Sequence, residues 1–186
     1  MLLRPFLCVV FISLLAVASF EQDDKCNVKL DQIKPAPELY GFRLDMTVEE
    51  VKKLVPTLQT RKSDDLGLMK TSFSPRFDPK IDKTKFENVR TVSFEFLDDK
   101  LMDLWIGYTS EFKWAKLEDF VPQMSASLGL PSNAWRAKGL ERRFDCADFQ
   151  IAAWMVAGGP SIRLTDATAK QLWEKRRADK AAQEDN

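Results

Sequence analysis

Between Gly41 and Leu58 the chain reads GFRLDMTVEEVKKLVPTL, and this stretch fixes both ends of one short helix. Thr47 and Glu50 stand at capping-box spacing, where the Thr hydroxyl accepts from the third helical amide and the Glu carboxylate accepts from the Thr amide. Met46 and Val51 have the spacing of a hydrophobic staple. Glu49 and Glu50 fall in the first turn and Lys52 and Lys53 near the last, the order that suits the helix dipole. Val48, Val51, Leu54, Val55 and Leu58 recur at helical spacing and make one apolar stripe. Pro56 ends the helix, because it lacks an N–H and restricts Val55. So short a helix does not hold alone in water, so it must lie on another layer.

That layer is legible further on as β-structure. Val92, Phe94 and Phe96 alternate with Thr91, Ser93 and Glu95, and Asp98-Asp99-Lys100 turns the chain back. The return strand sets Met102, Leu104, Ile106 and Tyr108 on one face and Leu101, Asp103, Trp105 and Gly107 on the other. The second face mixes a large aromatic, an acid and a glycine, so partial exposure is expected. Leu66 to Phe73 reads as a strand before this hairpin. A second helical stripe holds Trp114, Leu117, Phe120, Val121, Met124 and Leu128; Pro122 implies a kink or a late start. Gly129 is placed as a left-handed C-cap, followed by Leu130 and the stop at Pro131. Strands are expected over 140–145, 149–157 and 161–164. A last helix over 166–178 carries Leu172 and Trp173, and 179–186 is expected to fray. The order gives a single α+β domain over 38–174, with short helices packed on one face of an antiparallel sheet. It divides into two helix-plus-three-strand units, 38–109 and 110–165.

The remainder of the chain bears on location. Arg4, the apolar run Leu7–Leu15 and Ala16-Val17-Ala18 make residues 1–20 a secretory signal cleaved near Ala18, with a polar linker over 21–37. The mature protein is therefore expected in the periplasm or secreted. Export removes Cys8 and leaves Cys26 and Cys146 in an oxidising compartment. Either the two form a bridge closing a loop of about 120 residues, worth at most about 4–5 kcal/mol in the chain-entropy model, or Cys146 is a buried strand residue and Cys26 a free thiol.

Lys+Arg 28 against Asp+Glu 28 leaves no net field to draw in nucleic acid or an anionic membrane. The absence of histidine removes the usual neutral-pH base, the commonest metal ligand and the partner of a Ser or Cys nucleophile. No cofactor is expected. Asp98, Asp99 and Asp103 crowd one hairpin, which a polar turn explains without a cation. Glu95 and Asp103 are the residues a carboxylate-based hydrolase would use. An apolar-ligand carrier would instead need a closed pocket between helices and sheet.

Gly41-x-x-Leu44-x-Met46-Thr47-x-x-Glu50-Val51 resembles the G-x-x-L-G-M-T-x-x-E-V signature of bacterial envelope proteins, with Asp45 in place of the second glycine. Those proteins include the small outer-membrane lipoprotein of the β-barrel assembly machinery and proteins with a β-lactamase-inhibitor-like fold. The stretch Leu128-Gly129-Leu130-Pro131 leading to Trp135 is similar to an LGLP-x-x-x-W pattern of bacterial secreted proteins. The resemblance implies an α+β layer whose concave sheet, bearing aromatic residues, grips a partner protein. Rigid aromatics dominate interface energetics. The candidate binding residues are accordingly Trp105, Tyr108 and Trp154, and the expected partner is another envelope or secreted protein held at the sheet face.

Overall fold

The structure, a computed structural model, describes residues 26–131 and 134–184. The expected export segment and Cys8 lie outside the described residues. Among the described residues, no helix is long and apolar enough to cross a membrane.

The chain runs α1 (Val48–Leu54), β1 (Leu68–Phe73), β2 (Val89–Leu97), β3 (Lys100–Tyr108), α2 (Leu117–Ser127), β4 (Arg136–Lys138), β5 (Glu141–Asp145), β6 (Phe149–Val156), β7 (Gly159–Asp166) and α3 (Ala167–Glu184). The seven strands form one sheet in the order β1-β2-β3-β7-β6-β5-β4, and every neighbouring pair is antiparallel. β3 and β7 meet in its middle. Three strands follow α1 and four follow α2, so the two units expected from the sequence differ in strand count.

The helix ends are built as their residues dictate. The Glu50 amide donates to Thr47 Oγ1 at 3.2 Å and the Thr47 amide donates to Glu50 Oε2 at 2.7 Å, closing the capping box. Asp45, where the envelope signature has glycine, takes a left-handed φ of 67°, the region glycine favours. Gly129 ends α2 at φ 67°. Its amide donates to the Ala126 carbonyl and the Leu130 amide to the Ser125 carbonyl, which is the Schellman pattern. Pro122 sits inside α2, and Trp114 precedes the helix and does not extend its stripe.

α1 and α2 cover one face of the sheet. Val51, Phe42, Phe120, Phe94, Phe96, Leu104, Ile106, Ile151 and Ile162 are all fully buried there. Cys26 and Cys146 are bonded at an Sγ–Sγ distance of 2.07 Å. Beside the bridge, the Cys26 amide donates to the Asp145 carbonyl at 3.1 Å and the Leu30 amide to Asp148 Oδ1 at 2.9 Å. The part of the expected linker that is described is thus fastened along β5 and the turn after it.

Two features correct the sequence reading of the sheet. Asp103 pairs with Glu95 and Leu101 with Phe96, so Met102 is an extra residue in a bulge. Leu101 consequently joins the helix-covered core, and Met102 crosses to the opposite side. That opposite face is not wholly open. α3 lies against one end of it, packing Ala169 and Trp173 on Leu68, Leu97 and Met102. The helix continues to Glu184 instead of fraying at 179. Arg176 grips Asp98 through two nitrogens, at 3.0 and 2.7 Å, and Lys180 bonds Asp65. α3 itself has no buried residue.

Candidate docking face

Strand alternation assigns the uncovered part of the outer face. Ser93, Trp105, Arg163, Ala152 and Arg143 are successive cross-strand partners on β2, β3, β7, β6 and β5. Beside them run Glu95, Asp103, Thr165, Gln150 and Asp145. On the other side lie Gly107, Ser161 and Trp154.

Trp105 is partly exposed and leans along its strand. A Cβ placed on Gly107 would lie 2.7 Å from Trp105 Cη2 and 3.0 Å from Cζ2, so the missing side chain is what lets the indole lie across that position. The Trp105 Nε1 atom is itself buried and has no hydrogen-bond partner among the described residues. Trp154 is also partly exposed, and the Arg163 guanidinium carbon sits 5.6 Å from its ring centroid, within cation–π range. Trp105, Arg163 and Trp154 therefore form one continuous strip. Arg90 bridges the strip's end, donating to the Val156 carbonyl at 3.1 Å.

Below the strip, Asp103 is 5% exposed. Arg163 Nε lies 3.2 Å from its Oδ1, and Thr165 Oγ1 donates to its Oδ2 at 2.8 Å. The Arg163 contact is close without a well-aligned N–H, since Nε meets no hydrogen-bond geometry. Burial raises the Asp103 carboxyl above its ordinary range, and Arg163 and Thr165 pull against it only in part. Glu95, directly opposite Asp103, accepts from Lys70 Nζ at 2.7 Å.

These residues rim a shallow depression of ≈ 340 Å³ whose lining includes Ser72 and Ser93 as well as Lys70, Glu95, Asp103, Trp105 and Arg163. Trp154 also borders a second recess of ≈ 460 Å³ with Leu140, Met155 and the first residues of α2. Leu140 is 90% exposed and Met155 43% exposed, but Met155 has the strand phase of Ile151 and Ala153, so it lies on the α2 side of the sheet and not on the strip.

Of the residues named from sequence, Trp105 and Trp154 share this face and Tyr108 does not. Tyr108 is fully buried under the helices, its ring 4.1 Å from Phe112 and 5.5 Å from Phe120. The reason is parity: Tyr108 has the strand phase of Leu104 and Ile106, opposite to Trp105. Arg163 was missed, although alternation along β7 with Ile162 and Leu164 inward marks it as outward. The Asp98, Asp99 and Asp103 group does not converge, because Asp98 goes to Arg176 and Asp103 to Arg163. Among the described residues no group of three His, Cys, Asp or Glu side chains is placed to hold a metal ion.

Comparison with protein-family models, curated proteins and solved structures finds no match to this chain.

Proposed function

We propose that this chain is a non-enzymatic binding module that works outside the cytoplasm, holding or blocking another envelope or secreted protein through the outer sheet face. The observation that carries the reading is the strip of Trp105, Arg163 and Trp154 on the outer face. Interface cores are enriched in Trp and Arg. The envelope-protein resemblance of the Gly41–Val51 stretch points the same way, since a sheet with aromatic residues is the gripping surface there. The filled interior, where Phe94, Phe96, Phe120, Phe144 and Phe149 are at most 1% exposed, does not favour an apolar-ligand carrier.

The test is capture of partners from the native envelope by the mature protein, comparing wild type with Trp105→Ala and Trp154→Ala. The expected result is a retained protein whose yield falls at least tenfold in both variants. Equal capture by all three proteins contradicts the reading.

One observation favours an enzyme instead. Asp103 is a buried carboxyl, raised by burial and directly opposite Glu95, and paired carboxyls are what acid–base work uses. Against it, Asp103 is engaged by Arg163 and Thr165, and Glu95 by Lys70. A substrate whose turnover is abolished by Glu95→Gln or Asp103→Asn would establish the hydrolase.

A further inference from the structure

The depression beside Trp105 has a chemistry of its own. It lies where two small side chains, Ser72 and Ser93, are cross-strand partners and leave room between taller neighbours. Trp105 forms one wall. Across from it stand Lys70 and Glu95, and Arg163 and Asp103 close the β7 side. The volume of ≈ 340 Å³ is at the lower end of the roughly 300–1,000 Å³ usual for ligand pockets.

Each charge here already faces an opposite one. Lys70 Nζ is 2.7 Å from Glu95 Oε1, and Arg163 Nε is 3.2 Å from Asp103 Oδ1. An anion would have to compete with Glu95 or Asp103 for its cation, and a cation would have to draw a carboxylate from its own partner. A neutral ligand does neither. It meets the spare lone pairs of the carboxylates, the free N–H groups of the guanidinium and ammonium, and two hydroxyls that both donate and accept. The Arg163 side chain is 40% exposed and that of Glu95 25%, so their polar ends are within reach from solvent. The remaining wall is a partly exposed indole, which offers a flat apolar surface. A ligand with many hydroxyls around a ring and an apolar ring face satisfies every one of these groups at once.

We infer that this depression is a saccharide site, taking a neutral sugar ring against Trp105 with its hydroxyls bonded by Ser72, Ser93, Glu95 and Arg163. The site does not depend on the docking reading and shares only Trp105 and Arg163 with it. The sugar comes either from a free oligosaccharide or from a glycan on the bound partner.

Isothermal titration of the mature, disulfide-bonded protein tests the assignment, with maltotriose, cellotriose, tri-N-acetylchitotriose and galactotriose as neutral probes and hexaglutamate as the anionic one. The expected result is saturable binding of at least one trisaccharide and none of hexaglutamate. Ser93→Leu, which fills the depression from an outward position and keeps both tryptophans in the chain, and Trp105→Ala should each weaken that binding at least tenfold. Phe77→Ala, an exposed site elsewhere, should leave it unchanged. Competition between the trisaccharide and a captured protein assigns the sugar to the partner's glycan; its absence assigns it to a free saccharide. The inference is overturned if no neutral trisaccharide binds, if binding survives Ser93→Leu in a protein of unchanged melting temperature, or if hexaglutamate binds instead. Partner capture by Ser93→Leu at the wild-type level, with sugar binding lost, separates this site from the docking strip. Loss of capture by Trp154→Ala with sugar binding intact separates them from the other direction.

Discussion

Asp103 shows at the residue scale how one buried carboxyl ties the sheet to pH. Its folded-state acidity is weakened by burial from an ordinary value of 3.8. The native chain therefore holds a proton where the unfolded chain has already lost it. That contribution to stability is fully present below about pH 3.8 and falls away as pH rises through the raised folded value. Asparagine cannot titrate, so wild type should lose stability relative to Asp103→Asn as pH climbs through that window, read from melting temperatures at successive pH values. Parallel curves for the two proteins would show that Asp103 does not titrate differently on folding. Single residues were unevenly legible in the sequence. Thr47, Glu50 and Gly129 act through their own backbone neighbours, and they stand as their spacing implied. Tyr108, an aromatic close to Trp105 in sequence, has the strand phase that puts it under the helices and not at the docking face. Alternation alone turns Arg163 outward, but its place beside Trp105 rests on the β3–β7 register, a pairing of residues about 60 apart in sequence that no local pattern reveals.

Among the elements, α3 is the one held by a small apolar contact and by surface ion pairs beyond it. It has no buried residue, and it is held by Trp173 against Leu68, Leu97 and Met102 and by Arg176–Asp98 and Lys180–Asp65 on the surface. Exposed pairs contribute little individually and are screened by salt, with a Debye length of about 3 Å at 1 M. Asp98 and Asp65 are both held below the ordinary carboxylate range by their hydrogen bonds to Arg176 and Lys180. Their contribution is present above the unfolded value and is lost as pH falls through the lower folded one. Hydrogen exchange over 176–184 should therefore speed up both in about 1 M salt and in acid, while α1 and α2, clamped on the core, stay protected. Exchange that is equal in the three helices under those conditions would rule out this description. The bulge at Met102 sets the surface that α3 meets. Strict alternation through Leu101 and Met102 assigns them to the wrong faces, and so conceals the apolar patch on which α3 rests.

Over the whole molecule, the sheet joins two halves of the chain at β3 and β7, and the Cys26–Cys146 bridge adds a second long-range tie. The fold class was readable because helices, turns and alternating strands each announce themselves locally. The strand order was not, because the β3–β7 pairing depends on contacts between distant stretches. Cys26→Ser with Cys146→Ser should lower stability by about 2–5 kcal/mol, measured by denaturant unfolding, and should free the segment from Cys26 to Ile33 from β5. An unchanged unfolding midpoint would mean that the bridge does not constrain the unfolded chain in the expected way.

In the proposed function, the strip of Trp105, Arg163 and Trp154 meets another protein outside the cytoplasm. Site-specific photo-crosslinking in the cells that make the protein addresses it most directly, with the photoreactive residue placed at Trp154, at Ala152 or, as a distant control, at exposed Phe77. Adducts of one defined mass are expected from Trp154 and Ala152 and none from Phe77. Adducts from Phe77 alone, or the same adducts from all three positions, would contradict it.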